Sequence, residues 1–176
     1  MQTGDKKMGW DDVGSTVCPV AKSLAAVGDR WTLMIMRELS LGTRRFDDIQ
    51  AQLGASSYLL STRLKRLEKD GIIERRLYNE KPERYEYYAT EKGLALDPIL
   101  LLLRAWGMQY CSSGEEPAVT LTYKPTGEVV DENWKIPPEA WPFSMTMLDR
   151  KISGAFEAER EEKRRNFRKS KKAVTD

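Results

Sequence analysis

Between Ala55 and Gly71 the apolar residues Leu60, Leu64 and Leu67 recur at i, i+4 and i+7, which puts them on one face of a helix. The pair Ser56-Ser57 offers a hydroxyl to the unpaired first-turn amides at its start, and Gly71 tolerates a left-handed conformation at its end. A shorter stripe of Phe46, Ile49 and Leu53 predicts another helix just upstream. Helical spacing then gives way to β-prone runs, Ile72 to Tyr78 and Tyr85 to Ala89, on either side of the polar loop Asn79 to Arg84. Thr43 to Thr90 is therefore predicted as a winged helix-turn-helix, with two helices followed by a hairpin wing.

The flanking segments are also periodic. Val20, Leu24 and Val27 line a helix opened by Cys18-Pro19, where the missing amide hydrogen of proline costs nothing, and closed by Gly28. Asp29 is placed to cap a helix from Trp31 to Leu41, with Leu33, Ile35, Met36 and Leu39 as core and Gly42 as its stop. After the wing, one long helix is predicted from Thr90 to about Tyr110, with apolar residues on more than one side. Such a helix needs two partners, its own domain and either more of the same chain or another subunit.

Beyond Ser112, Ala118 to Tyr123 alternates like a strand, Lys124 to Gly127 has turn chemistry, and Glu128 to Val130 can return. An aromatic and proline-rich connector follows, with Trp134, Pro137, Pro138, Trp141, Pro142 and Phe143. From Met145 the composition is helical, Met145, Leu148, Ile152 and Phe156 forming one stripe that Gly154 weakens. Four segments are expected: 1–17 flexible, 18–112 the winged-helix domain with its dimerisation helices, 113–144 an extension, and 145–176 a charged helical tail. The fold class is mainly α with a small β-hairpin wing.

The helix behind Ser56-Ser57 carries Tyr58, Thr62, Lys65 and Lys69 opposite its leucines, with Ser61 and Arg66 at the edges. Lys and Arg can bond guanine edges or phosphates and hydroxyls can bond either, so this face suits a major groove. A solvated helix face has the same composition. At the wing tip Lys81 and Arg84 can reach phosphate or a minor groove, with Glu80 and Glu83 diluting the charge.

Charge changes the picture through its distribution, because the net value over 176 residues is only +2. Residues 18 to 112 hold 15 Lys and Arg against 12 Asp and Glu, residues 113 to 144 hold 2 against 6, and residues 145 to 176 hold 10 against 6. Basic charge thus sits in the winged-helix segment and the tail. The basic tail can contact phosphates nonspecifically or remain solvated. With no histidine and two cysteines, a Ser-His-Asp triad, a Cys-His pair and a four-cysteine zinc site within one chain are all excluded. No phosphate-binding glycine motif occurs. We expect no enzyme activity, no cofactor and no metal. The longest apolar run, Ile99 to Leu103, is far too short to span a membrane, and no secretion signal opens the chain, so a cytoplasmic protein is expected.

Several separated blocks carry a resemblance: Cys18-Pro19-Val20-Ala21, Gly28 to Leu33, Arg45 to Ile49, Leu60 to Leu64, Leu67 to Ile73 and Thr90 to Gly93. In order and spacing they resemble the HxlR family of bacterial transcriptional regulators, over roughly Cys18 to Tyr110. The resemblance implies a homodimer that binds double-stranded DNA and represses or activates nearby genes, repression being the reading adopted. Tyr58, Ser61, Thr62 and Lys65 would then read bases beside Ser57. Arg45, Arg63, Arg66, Lys81 and Arg84 would position phosphates, with internal pairing an alternative for Arg63. The second subunit would be gripped through Val20, Leu24, Leu100, Leu103, Trp106 and Tyr110. Some relatives use the cysteine of the Cys-Pro step as a redox sensor, and Cys18 sits at the positive end of a helix dipole, where thiols become oxidisable. A small residue at the dimer contact is the plainer role for it. The rival to DNA binding is a protein-interaction module on a winged-helix scaffold.

Overall fold

Proline opens the first helix and aspartate the second. A computed structural model, describing residues 14–15, 17–112, 114 and 116–175, has α1 at Pro19–Val27 with Pro19 in its first turn. Asp29 accepts hydrogen bonds from the amides of Trp31 (3.0 Å) and Thr32 (3.1 Å), which starts α2 at Arg30–Ser40. After α3 (Phe46–Leu53), Gly54 takes φ +64° and turns the chain. Ser56 accepts from the amide of Leu59 at 3.2 Å and caps α4, Ser57–Lys69. The expectation of loose order over Met1 to Val17 falls mostly outside the described residues.

Strands β1 (Ile73–Glu80) and β2 (Glu83–Ala89) pair antiparallel from Ile73 with Ala89 to Glu80 with Glu83. The wing is therefore longer than the sequence suggests, and its tip is only Lys81-Pro82. The amide of Tyr87 donates to the carbonyl of Arg44, and Arg45 bridges to Glu86, so the chain before α3 runs as a short third edge on the hairpin. Thr90 ties the hairpin back, its hydroxyl donating to the carbonyls of Gly71 (2.6 Å) and Ile72 (3.1 Å). Gly93 then passes so close to the Ile72 carbonyl that any Cβ would collide with backbone, which explains the glycine of the Thr90-Glu91-Lys92-Gly93 block.

The single helix predicted from Thr90 to Tyr110 is two, α5 (Glu91–Leu94) and α6 (Asp97–Tyr110). Pro98 supplies the reason: its ring and missing N–H cannot continue a helix from the preceding turn but fit the first turn of a new one. Ile35, Leu39, Ile49, Leu60, Leu64, Leu67, Ile72, Ile73 and Leu100 close the core between α2, α3, α4, the hairpin and α6. Leu100, expected at the dimer contact, is 9% exposed and belongs to this core.

A second layer stands on α6. Strands β3 (Val119–Tyr123), β4 (Glu128–Val129) and β5 (Leu148–Ile152) form an antiparallel sheet in the order β4-β3-β5. The helix expected from Met145 is thus corrected. Met145–Met147 is a 3-10 turn, Leu148 to Ile152 pair with β3, and only from Gly154 does α7 (Gly154–Thr175) begin. The β-branched Ile152 and a free edge on β3 outweigh the helical spacing, and Gly154 stands at the start of the helix rather than inside it. Trp134 lies between Tyr123 and Phe143, at ring separations of 5.4 and 6.3 Å, so the connector covers the sheet. Arg104 on α6 donates to the carbonyls of Val130 (2.9 Å) and Val119 (3.0 Å), and Asp97 accepts from the amide of Met145 (2.8 Å). Burial pushes the Asp97 carboxyl up from its ordinary value. Among the described residues no helix is long and apolar enough to cross a membrane.

The α7 helix is locked to α2 by a buried ion pair. Arg160 donates through its two Nη atoms to Glu38 Oε1 (3.0 Å) and Oε2 (2.7 Å), and to Thr43 Oγ1 (2.9 Å). Burial pushes the Glu38 carboxyl up, but hydrogen bonding and charge from Arg160 and Arg37, with a bond from Thr43, outweigh it and hold the carboxyl below its ordinary 4.5. Removing Arg160 leaves the buried carboxylate with only Arg37 and Thr43, so Arg160→Ala should cost up to about 3 to 5 kcal/mol in denaturant unfolding at neutral pH. A depressed carboxyl contributes stability above the unfolded value and loses it as pH falls through the folded one. The gap between wild type and Arg160→Ala should therefore narrow below pH 4.5; a gap constant with pH would contradict the assignment.

Candidate nucleic-acid interface

Burial of Leu60, Leu64 and Leu67 fixes the rotation of α4, and the polar residues follow from it. Ser57, Tyr58, Thr62, Lys65 and Lys69 are exposed, Tyr58 at 83%. Tyr58, Thr62, Lys65 and Lys69 recur at i, i+4, i+7 and i+11, so they form one ridge along the helix. Ser61 is half-buried at its edge. The Thr62 hydroxyl donates to the carbonyl of Tyr58 at 2.8 Å, leaving its oxygen lone pairs outward.

The turn between α3 and α4 is bridged by a residue that pattern reasoning missed. Gln50, buried on α3, donates from Nε2 to the carbonyl of Ala55 (3.1 Å) and to Ser57 Oγ (2.9 Å), spanning the turn from below. A polar residue beside Ile49 on a short apolar helix was the available signal, since a buried amide requires partners.

The expected phosphate contacts divide into two kinds. Lys81 and Arg84 are exposed at the wing tip. Arg45, Arg63 and Arg66 already have partners: Arg45 Nε lies 3.1 Å from Glu86 with its guanidinium 4.5 Å from the Tyr78 ring, Arg63 lies 3.4 Å from Asp29, and Arg66 donates to the carbonyl of Ala25 (2.9 Å) beside Asp70. The bond to Glu86, and then the nearby Tyr78, hold the pKa of Arg45 above its ordinary value. The internal pairing considered for Arg63 is the arrangement found, and Arg66 shares that character.

The first helix, α1, has no buried residue, and Val20 and Leu24 are 66% and 44% exposed. On α6, Leu102, Leu103, Trp106 and Tyr110 are also exposed, with Trp106 and Tyr110 in ring contact at 5.6 Å. Cys18 immediately precedes α1, Cys111 follows α6, and both are exposed.

Residues 26–115 match the HxlR-like helix-turn-helix family. The chain belongs to that family. Rv3095 of Mycobacterium tuberculosis, an uncharacterized HTH-type transcriptional regulator, is 39% identical over 112 residues, covering 64% of this chain and 71% of its own. The crystal structure of PA1607, a candidate transcription factor, superposes with a TM-score of 0.60 at 32% identity over 70% of this chain and 87% of that one. The reduced form of the redox regulator HypR gives 0.50 at 29% identity, over 54% and 95%. The family match ends at residue 115, so β3, β4, β5 and α7 lie outside it.

Because Gln50 braces the turn, Gln50→Ala should strip the Ala55 carbonyl and the Ser57 hydroxyl of a donor and cost about 1 to 3 kcal/mol of stability. Thermal unfolding of the variant checks this; a wild-type midpoint would mean that water replaces the amide without loss.

Proposed function

We propose that the protein is a cytoplasmic, homodimeric, sequence-specific DNA-binding transcriptional regulator that represses from a two-fold symmetric operator. The observation that carries this is the ridge on α4: a capped helix, rotationally fixed by three buried leucines, turns Tyr58, Thr62 and Lys65 to solvent with no acidic side chain along the same row. Inserted into a major groove, Lys65 would donate to guanine O6 and N7, the hydroxyls would bond either base edge, and Lys81 and Arg84 would hold phosphates from the wing. Arg45, Arg63 and Arg66 would first have to leave their partners, so their role is to fix the domain around the ridge. Membership of a family whose relatives carry the name transcriptional regulator supports the same reading.

Binding to purified protein, compared between DNA from its own upstream region and a shuffled duplex, tests the proposal. A preference of about a thousandfold or more is expected. Lys65→Ala should then lose about 1 to 3 kcal/mol for the preferred sequence and relax the preference. Equal binding to both duplexes would remove the specific regulator, and no binding would favour an interaction module on this scaffold.

The exposed apolar residues of α1 and α6 support the dimer, because a second subunit would remove such surface from water. Trp106→Asp should convert a dimer to a monomer in sedimentation and weaken DNA binding; a wild-type protein monomeric at micromolar concentration would refute the dimer. Cys18 precedes this apolar face, and HypR, a redox regulator, is similar in fold. A redox-switched repressor is therefore the second reading, separated from the first by repeating the DNA titration with and without reductant.

A further inference from the structure

The basic end of α7 holds Lys163, Arg164, Arg165, Arg168, Lys169, Lys171 and Lys172, with no acidic residue from 163 to 172. It is fastened at two points. Near its start, Arg160 grips Glu38 while the Arg160 carbonyl accepts from Gln52 Nε2 at 3.0 Å. Eleven residues later, about 16 Å along the axis, Lys171 pairs with Asp47 at 2.7 Å. Gln52 is near the end of α3 and Asp47 at its start, so α7 runs antiparallel along the first helix of the helix-turn-helix, toward its N-terminus and the wing.

There a groove opens between α3, the wing and α7. Arg45, Tyr78, Glu83 and Arg84 line one side, and Arg164, Arg168 and Lys172 the other. The carboxylates of Asp47 and Asp48 also border it. Lys171 answers Asp47, and Lys163 answers Glu159. Among the described residues, Arg164, Arg165, Arg168, Lys169 and Lys172 have no acidic side chain within ion-pair distance. The buried tether at Arg160, with the exposed pair at Lys171 following it, lays the basic segment along α3, and its position beside Arg84 makes it continuous with the charge of the wing.

Taking the chain to be the DNA-binding regulator proposed above, we propose that α7 is a third DNA-contacting element, which grips backbone phosphates of the duplex flanking the recognition site on the wing side. The chemistry is that of point charges and guanidinium forks on phosphate oxygens, so it adds affinity and reach without base preference. Because β3 to α7 lie outside the family match, this clamp is a property of the extension.

The test uses the full chain with Arg164→Gln, Arg168→Gln and Lys172→Gln combined, leaving Arg160 and Lys171 intact. Each lost phosphate contact lowers the slope of log affinity against log salt by about 0.9. The variant should therefore show a slope shallower by about 2 to 3 for each bound protomer, and lose about 16- to 64-fold less affinity per protomer than wild type between roughly 50 and 200 mM salt. Its preference for native over shuffled sequence should not change. Extending a minimal duplex by about one helical turn of arbitrary sequence should tighten wild type but not the variant, a readout that loss of a purely structural role would not produce. With unchanged circular dichroism and unfolding midpoint, an unchanged slope or equal benefit from the flank overturns the proposal, whatever acidic protein the basic segment then proves to bind. If wild type has no sequence preference yet the slope difference holds, the base-reading assignment of α4 fails and the α7 contact stands.

Discussion

A carboxylate placed among the core-facing residues of α2 must be neutralised, and besides its neighbour Arg37 the chain supplies a second cation from 122 residues away. Glu38 follows Ile35 by three positions and precedes Leu39, so the packing that buries those residues buries it too. The Coulomb and hydrogen-bond gain to Arg160 offsets the desolvation of both groups only because the geometry is two-pronged and Thr43 takes a further donor. One contact thereby joins α2, the loop before α3 and α7, fixing the appended layer against the winged-helix core. Arg104 and Asp97 repeat the device on a smaller scale, each using a polar side chain on α6 to satisfy backbone groups of the extension.

The proposed recognition surface is built on the opposite logic. The residues proposed to read bases are those without an internal ion pair: Tyr58 and Lys65 project outward while the neighbouring arginines are drawn into pairs with Asp29, Asp70 and Glu86. A cation already bonded within the chain would exchange one partner for another on binding DNA, with little net gain. An exposed lysine exchanges only water and counterions. The division between paired and exposed cations thus separates residues that shape the domain from residues available to a ligand.

Periodicity made the winged-helix half legible because each signal there was local. The leucines of α4, the Ser56 cap, Gly42, Gly71 and the Asp29 cap all act within a few residues of themselves. What escaped was set by distant partners. Ile152 matched a helical stripe, yet its segment found the edge of β3, and Arg160 looked like one more surface charge until Glu38 gave it a buried position. The signal for the latter was present: Arg160 stands four residues after Phe156 and seven before Phe167, in the row that faces the core. Leu100 was misplaced for a related reason, since a helix apolar on two sides does not say which side meets which neighbour. The paired arginines belong to the same class, because a basic residue on a helix edge reads alike whether its carboxylate is a phosphate substitute within the chain or absent.

The separation of Glu38 from Arg160 also has a temporal meaning. A ribosome adding about 5 to 20 residues each second takes roughly 6 to 24 seconds to travel between the two codons. Throughout that interval Glu38 has only Arg37 and Thr43 for partners, and the two-pronged pairing with α7 is still to come. The pairing of α2 with α7 can therefore form only once residue 160 has been made, which orders docking of the extension after synthesis of the winged-helix core.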